Sequence, residues 1–159
     1  MSKRDYHLKL GKVSAVMMAS PSYQRYPLAC LTVWIKPPIL LNQCHFFYDL
    51  SGGLVGYATW AYLTEEVERR WIHDPHVMLH ISEWNDGERL WIMDFVVING
   101  DVRRFVNEFK SLFPGHTFAK SLRRDIEGAV PKVTTWRCRQ RQPTNNALLT
   151  GKSLCCSTV

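Results

Sequence analysis

RLWIMDFVVI, residues 89–98, is the most apolar stretch of the chain. Apart from Arg89 and Asp94 every residue in it is apolar, and the turn signal NDGE (85–88) precedes it. A short apolar run of this kind reads as a strand covered on both faces, the centre of a sheet. Working back along the chain, TEEVERRWI (64–72) reads as a helix, with Thr64 as N-cap and carboxylates in its first turn. The stretch 73–88 between them reads as irregular. CHFFYDL (44–50) and LVGYATWAYL (54–63) read as two strands joined by the hairpin signal SGG (51–53). Working forward, DVRRFVNEFKSLF (101–113) carries Val102, Phe105, Val106, Phe109 and Phe113 on one helical face, and Pro114-Gly115 stops it. HTFAKSLRR (116–124) and KVTTWRCR (132–139) read as two strands around a turn at 125–131.

The N-terminal part predicts two helices. The first covers 8–19, where Leu10, Val13, Val16 and Met17 recur at helical spacing; the second covers 23–35, with Pro37-Pro38 as its stop. The order α-α-β-β-α-β-α-β-β predicts an α/β (α+β) single domain, one mixed sheet flanked by helices, over residues 1–139. Residues 140–159 have no sustained period and are expected to be a disordered tail.

The length of 159 residues suits one domain with a sizeable core, and 46% apolar residues argue against disorder. The apolar runs are too short to span a bilayer, and no long apolar core follows the charged N-terminus. A cytoplasmic location is expected. Five cysteines without a CxxC pair fit reduced thiols. The net charge of +6 is uneven: Lys120, Arg123, Arg124, Lys132, Arg137, Arg139 and Arg141 face only Asp125 and Glu127 within the same stretch. Such a face suits an acidic partner, or is simply solvated.

Three places carry candidate chemistry. His73, His76 and His80 lie close in HDPHVMLH, but Pro75 breaks a regular helix there and no carboxylate or thiol completes a metal site. A surface loop is the plainer reading, and no metal is expected. Asp94 sits mid-strand among apolar neighbours, where a carboxylate is costly unless paired. It either pairs structurally or orients a reacting partner. Tyr23 lies in ASPSYQRYP (19–27), a polar, aromatic interruption of the apolar pattern. It is either a packed turn residue or a hydrogen-bond donor, since a phenol of pKa near ~10 makes a better acid than base at neutral pH. No Ser-His-Asp spacing, HExxH or P-loop is visible. CCSTV at the end, with Cys155 and Cys156, has only the frame of a prenylation box.

Taken in order, LGKVSAVMMASPSYQRYPL, KPPILLNQCHFFYD, GYATWAYLTEEVE, EWNDGERLWIMDFVV, LFPG and KVTTWR resemble the toxin-activating lysine acyltransferases of RTX toxin systems. The resemblance covers roughly residues 10–137. It implies a fold like that of the GNAT acetyltransferases. It implies transfer of a fatty acyl group from acyl carrier protein to lysine ε-amines of an RTX-type protoxin, in the cytoplasm, by a homodimer. Acyl-acyl carrier protein is then a co-substrate, and no other cofactor is implied. The basic stretch, with Arg123 and Arg124, gains an acidic partner in the carrier protein. The family pattern at the opening knot is Ser-Pro-x-His-Arg, with a catalytic histidine. Aligned on Ser20-Pro21, Ser20 is retained, the histidine falls on Tyr23, and Arg25 stands one place beyond the motif's arginine. Asp94 falls on the family's catalytic aspartate.

Lysine has a reference pKa of ~10.4, so attack on a thioester needs a base or desolvation to free the amine. In this frame Tyr23 acts as acid or hydrogen-bond donor, and Asp94 as base or orienter. Ser20, Arg25, Arg123 and Arg124 are candidate substrate-binding residues, and His45 is an alternative base. A second reading keeps the groove and the basic face but no turnover, as a binding protein for acyl carrier protein or protoxin. A nucleic-acid module is the third, disfavoured because the aromatics sit at core-like positions.

Overall fold

The computed structural model describes residues 1–123 and 131–138. Arg124, most of the turn at 125–131 and the segment 140–159, with Cys155 and Cys156, lie outside the described residues. Helix α1 spans Lys3–Ala19, starting earlier than its apolar period suggests. Ser2 is the reason: its hydroxyl accepts from the Asp5 N–H at 3.0 Å, and the Asp5 carboxylate accepts from the Ser2 N–H at 3.3 Å.

The predicted helix 23–35 is not formed as such. Residues 21–26 are turns, a single π-helical turn follows at Leu31–Ile35, and helix α2 covers Lys36–Leu40. Pro37 and Pro38 do not stop a helix; they open one, where a missing N–H leaves nothing unsatisfied. Strands β1 (Cys44–Tyr48) and β2 (Leu54–Leu63) form the expected hairpin. Asp49 ties its turn by accepting from the N–H groups of Ser51 and Gly53, and Gly52 takes φ +84°. Helix α3 (Glu65–His73), a 3₁₀ turn (Ile81–Trp84), β3 (Arg89–Val97), α4 (Val102–Ser111), β4 (Phe118–Arg123) and β5 (Lys132–Arg137) follow.

The sheet order is β1-β2-β3-β4-β5, with β3 at its centre. All pairs are antiparallel except β3–β4, which α4 joins as a parallel crossover. The result is one mixed α+β domain. Helix α4 covers one face: Phe105, Phe109 and Phe113 pack on Phe47, Ala58, Leu90 and Ile92. Full burial of each such phenylalanine contributes roughly 1.5–3 kcal/mol. Helices α1, α2 and α3 cover the other face, over Tyr57, Ala61, Leu63, Trp91, Met93 and Val96.

Two features of that second face prepare the site. Glu68 on α3, buried, accepts from Trp91 Nε1 and Lys120 Nζ, both at 2.8 Å, and pairs with Arg89 Nε at 3.1 Å. It pins α3 to β3 and β4, and it removes Lys120 from the basic face expected for a partner. The second feature is a bulge in β3. Thr59 stands opposite Asp94 and Trp60 opposite Ile92, so Met93 has no partner. Trp91 and Met93 point to the α1–α3 face, and after the extra residue Asp94 and Val96 point there too. The bulge turns the Asp94 carboxylate under α1 and α2 rather than under α4.

Candidate active site

Four elements meet at Asp94. The residue is 6% exposed. Its Oδ1 accepts a short hydrogen bond from the Tyr23 hydroxyl, 71 positions away in the chain, and its Oδ2 accepts from Trp34 Nε1 at 2.8 Å. Trp34 lies in the π-helical turn Leu31–Ile35 that precedes Pro37. Trp71 and Trp84 hold that ring, with centroids 5.2 and 5.9 Å away. Tyr23 is delivered by the turn after α1. The Ser20 carbonyl accepts from the N–H groups of Tyr23 (2.9 Å) and Gln24 (3.1 Å), while the Ser20 N–H donates to Met17 O. The Tyr23 ring leans against the exposed ring of Tyr26, with centroids 5.4 Å apart.

The electrostatics follow from burial. Asp94 is raised from the ordinary carboxylate value to about 6, because desolvation outweighs the two hydrogen bonds that favour its charge. Tyr23 is raised far above a normal phenol, first by burial and then by the charge of Asp94. A phenol in that environment stays neutral, and towards the carboxylate it donates. A carboxylate near 6 is ionised at neutral pH and is a stronger base than an exposed one. In the resting protein Tyr23 donates the hydrogen bond and Asp94 accepts it.

Three further side chains, not singled out from the sequence, complete the cluster. Cys44, Thr59 and Asp94 form one row across β1, β2 and β3, and Tyr57 lies two residues from Thr59 on the same face of β2. Burial pushes the Cys44 thiol up to about 12, so it remains protonated. The hydroxyls of Tyr57 and Thr59 are fully buried, and that of Thr59 has no hydrogen-bond partner among the described residues. The Tyr57 hydroxyl lies beside that of Tyr23, and the two interact and influence each other's ionisation. An unpartnered hydroxyl such as that of Thr59 costs roughly 1–3 kcal/mol. A polar pair at alternate positions in GYATWAYL was the sequence signal for them.

The remaining candidates do not join the cluster. Ser20 is buried, and its backbone bonds to Met17, Tyr23 and Gln24. Arg25 is exposed on the turn, and Arg123 is exposed at the end of β4. His45 is turned to the opposite face, where Nε2 lies 2.9 Å from Glu108 Oε1 of α4. The strand alternation that puts Cys44 beneath Tyr23 puts His45 under α4, so it cannot serve as the base at Asp94. His73, His76 and His80 make local contacts to Arg69 O, Asp74 and Ser82. Among the described residues no three His, Cys, Asp or Glu side chains converge for a metal. A surface concavity of about 430 Å³ lies elsewhere, beside Arg69, Arg70, His73 and Asp74. No helix among the described residues is long and apolar enough to cross a membrane.

The parallel β3–β4 ladder has two residue pairs, Trp91–Lys120 and Ile92–Ser121, and ends where the bulge begins. Fold and site together define a mixed α+β domain with a phenol hydrogen-bonded to a buried carboxylate at the bulge of its central strand. The sequence comparisons place that arrangement. The model of the RTX toxin acyltransferase family matches residues 3–137, and the chain belongs to this family. It is 30% identical over 132 residues to an uncharacterised protein of Synechocystis sp., covering 81% of this chain and 88% of that one. It is 31% identical over 114 residues to the RTX-II toxin-activating lysine-acyltransferase ApxIIC of Actinobacillus pleuropneumoniae, covering 72% of this chain and 69% of the relative. It is 28% identical over 125 residues to the protein-lysine myristoyltransferase HlyC of Escherichia coli, covering 79% and 72%.

Proposed function

We propose that this chain transfers a fatty acyl group from acyl carrier protein to lysine ε-amines of an RTX-type protoxin, as a cytoplasmic homodimer with no cofactor beyond the acyl-carrier co-substrate. The observation that carries the reading is the hydrogen bond from Tyr23 to Asp94 in a chain of the acyltransferase family. The lysine nitrogen attacks the thioester carbonyl carbon; the C–N bond forms and the C–S bond breaks. Asp94 takes the proton that the amine loses. Tyr23 gives its proton to the departing thiolate and regains one from Asp94 along the hydrogen bond they share. The carboxylate near pKa 6 ends ionised, and the phenol ends neutral.

The β3–β4 ladder is short, ending at Ile92–Ser121, and strand groups beyond such a ladder suit the carrier's extended amide-bearing arm, because they offer N–H and C=O groups to an extended chain. A GNAT-like architecture is part of this reading, supported by the mixed sheet flanked by helices. Arg123, at the exposed end of β4, and Lys132 and Arg137 of β5 supply positive charge for an acidic carrier. Arg25, exposed beside Tyr23, is placed for the acidic groups of either substrate.

The test is incubation with acyl carrier protein loaded with acyl chains of several lengths and a candidate protoxin, followed by mass spectrometry of the protoxin lysines. Acyl lysines that depend on Asp94 support the reading. If the protein binds the carrier or protoxin but no lysine is acylated with any chain, a non-catalytic binding role replaces it.

A further inference from the structure

Tyr23 is one of two donors to Asp94; the other, Trp34, takes no part in the scheme above. Its indole Nε1–H donates to Asp94 Oδ2 at 2.8 Å, while Tyr23 holds Oδ1. The Trp34 ring is half-buried and packs against both apolar clusters of the α1–α3 face. Trp71 of α3 lies beside it with centroids 5.2 Å apart and planes tilted by 32°. Trp84 of the 3₁₀ turn meets it edge to face at 5.9 Å and 78°. Both of those rings are buried. These are favourable arrangements for aromatic pairs, and a ring held by two others keeps its N–H aimed at one oxygen.

The chemistry of indole gives this bond a direction. An indole N–H donates and has no lone pair with which to accept. When Asp94 gains a proton, one placed on Oδ2 competes with the indole N–H for that oxygen. One placed on Oδ1 faces the Tyr23 hydroxyl oxygen, which can accept. Oδ2 therefore remains an acceptor in both protonation states, and Oδ1 is the oxygen that gains and passes the proton. A tyrosine, histidine or serine at position 34 could accept as well as donate, and would leave both oxygens open to exchange.

We propose that Trp34 is a positioning residue for Asp94: its N–H, aimed by Trp71 and Trp84, holds Oδ2 and directs proton exchange to Oδ1, the oxygen shared with Tyr23. Its role in turnover rests on the acyltransferase reading, but the bond and its effect on Asp94 are testable without turnover. Tyr23 of the turn, Cys44 of β1 and Tyr57 of β2 are the other titratable groups at Asp94, and burial keeps all three neutral. Lys9 of α1 acts on Cys44. A titration near 6 at this site belongs to Asp94.

Two variants of the full chain test this. One carries benzothienylalanine in place of Trp34, which keeps the two-ring shape with sulfur where the N–H was. The other is Trp84→Phe, which keeps the N–H but loosens the ring. In the NMR spectrum of the wild type, the Trp34 indole N–H resonance, assigned by its loss from the benzothienyl protein, should shift with pH with a midpoint near 6. It should keep the downfield position of a bonded N–H below that midpoint, and Asp94→Asn should abolish the titration. The Asp94 midpoint, read from its carboxyl carbon, should rise by about one to two pH units in the benzothienyl protein, because one bond to the charged form is lost. Trp84→Phe should raise it less. In acylation assays the acid limb of kcat should move by the same amount, with KM changed little. An indole resonance that does not titrate, or that moves to the free position below the midpoint, overturns the proposal. So does an Asp94 midpoint or an acid limb that stays put without the N–H; Trp34 is then a packing residue, whatever the wild type catalyses. If the midpoint moves as expected but no lysine is acylated with any carrier-bound chain, the positioning of Asp94 stands and the acyltransferase reading fails.

Discussion

Replacing Asp94 by asparagine should make the protein more stable and less active, and the stability change should depend on pH in a defined direction. Asp94 titrates near 6 in the folded chain against a reference of 3.8. A shift of about two units corresponds to roughly 3 kcal/mol. The folded state therefore binds more protons than the unfolded state between those two values. Stability from this group is complete below about pH 3.8, falls as pH rises, and is lost by about pH 6. Above that the ionised carboxylate sits in the core at a net cost, because its bonds from Tyr23 and Trp34 do not repay its desolvation. Asparagine keeps the shape without the charge: its oxygen can accept from Trp34 and its amide can donate to the Tyr23 oxygen. In urea unfolding, Asp94→Asn should gain up to about 3 kcal/mol at pH 7.5, and the gain should shrink towards zero near pH 4. Comparing variant with wild type at each pH cancels the other carboxylates, including Asp5 and Asp49, whose values are lowered and which stabilise in the opposite direction. Acyl transfer should fall by about 10²–10⁴ with the base removed. A variant less stable than wild type by the same amount at every pH would refute the reasoning, and Asp94 would then be a structural anchor.

Tyr23→Phe should lower acylation by roughly 10²–10³, the cost of one donor that acts in the transition state; unchanged rates would make Tyr23 a packing residue. Tyr23→His should raise activity near neutral pH, whereas the wild-type rate should climb towards alkaline pH as free amine accumulates. Trp34→Phe removes the 2.8 Å bond that favours the Asp94 charge, so the acid limb of the pH–rate profile should move to higher pH. Arg123→Glu should slow association with acyl carrier protein and flatten its salt dependence, measured by stopped-flow mixing at several ionic strengths.

The sequence by itself determined the elements of the sheet and their order. Strand alternation, the SGG hairpin, the Thr64 cap and the aromatic stripe of residues 101–113 are local signals, and local sterics and hydrogen bonding enforce them whatever the rest of the chain does. The motif order also pointed to Tyr23 and Asp94 as partners. Tertiary structure decided everything that depends on which surfaces meet. Pro37-Pro38 was legible as a helix stop, but a preceding turn packed on Trp71 and Trp84 can widen and let the prolines open the next helix. Strict alternation would have put Asp94 on the same face as Ile92, under α4; the unpaired Met93 reversed it, and an extra residue in a ladder is visible only against its partner strand. Alternation also separates His45 from Cys44, yet nothing local says which of the two faces receives Tyr23. Trp34, Tyr57 and Thr59 reach the site across spans of sequence that carry no common pattern. Their positions follow from burying the apolar faces of α1, α2 and β2 together, and the carboxylate at the centre takes its unusual basicity from the water that this packing excludes.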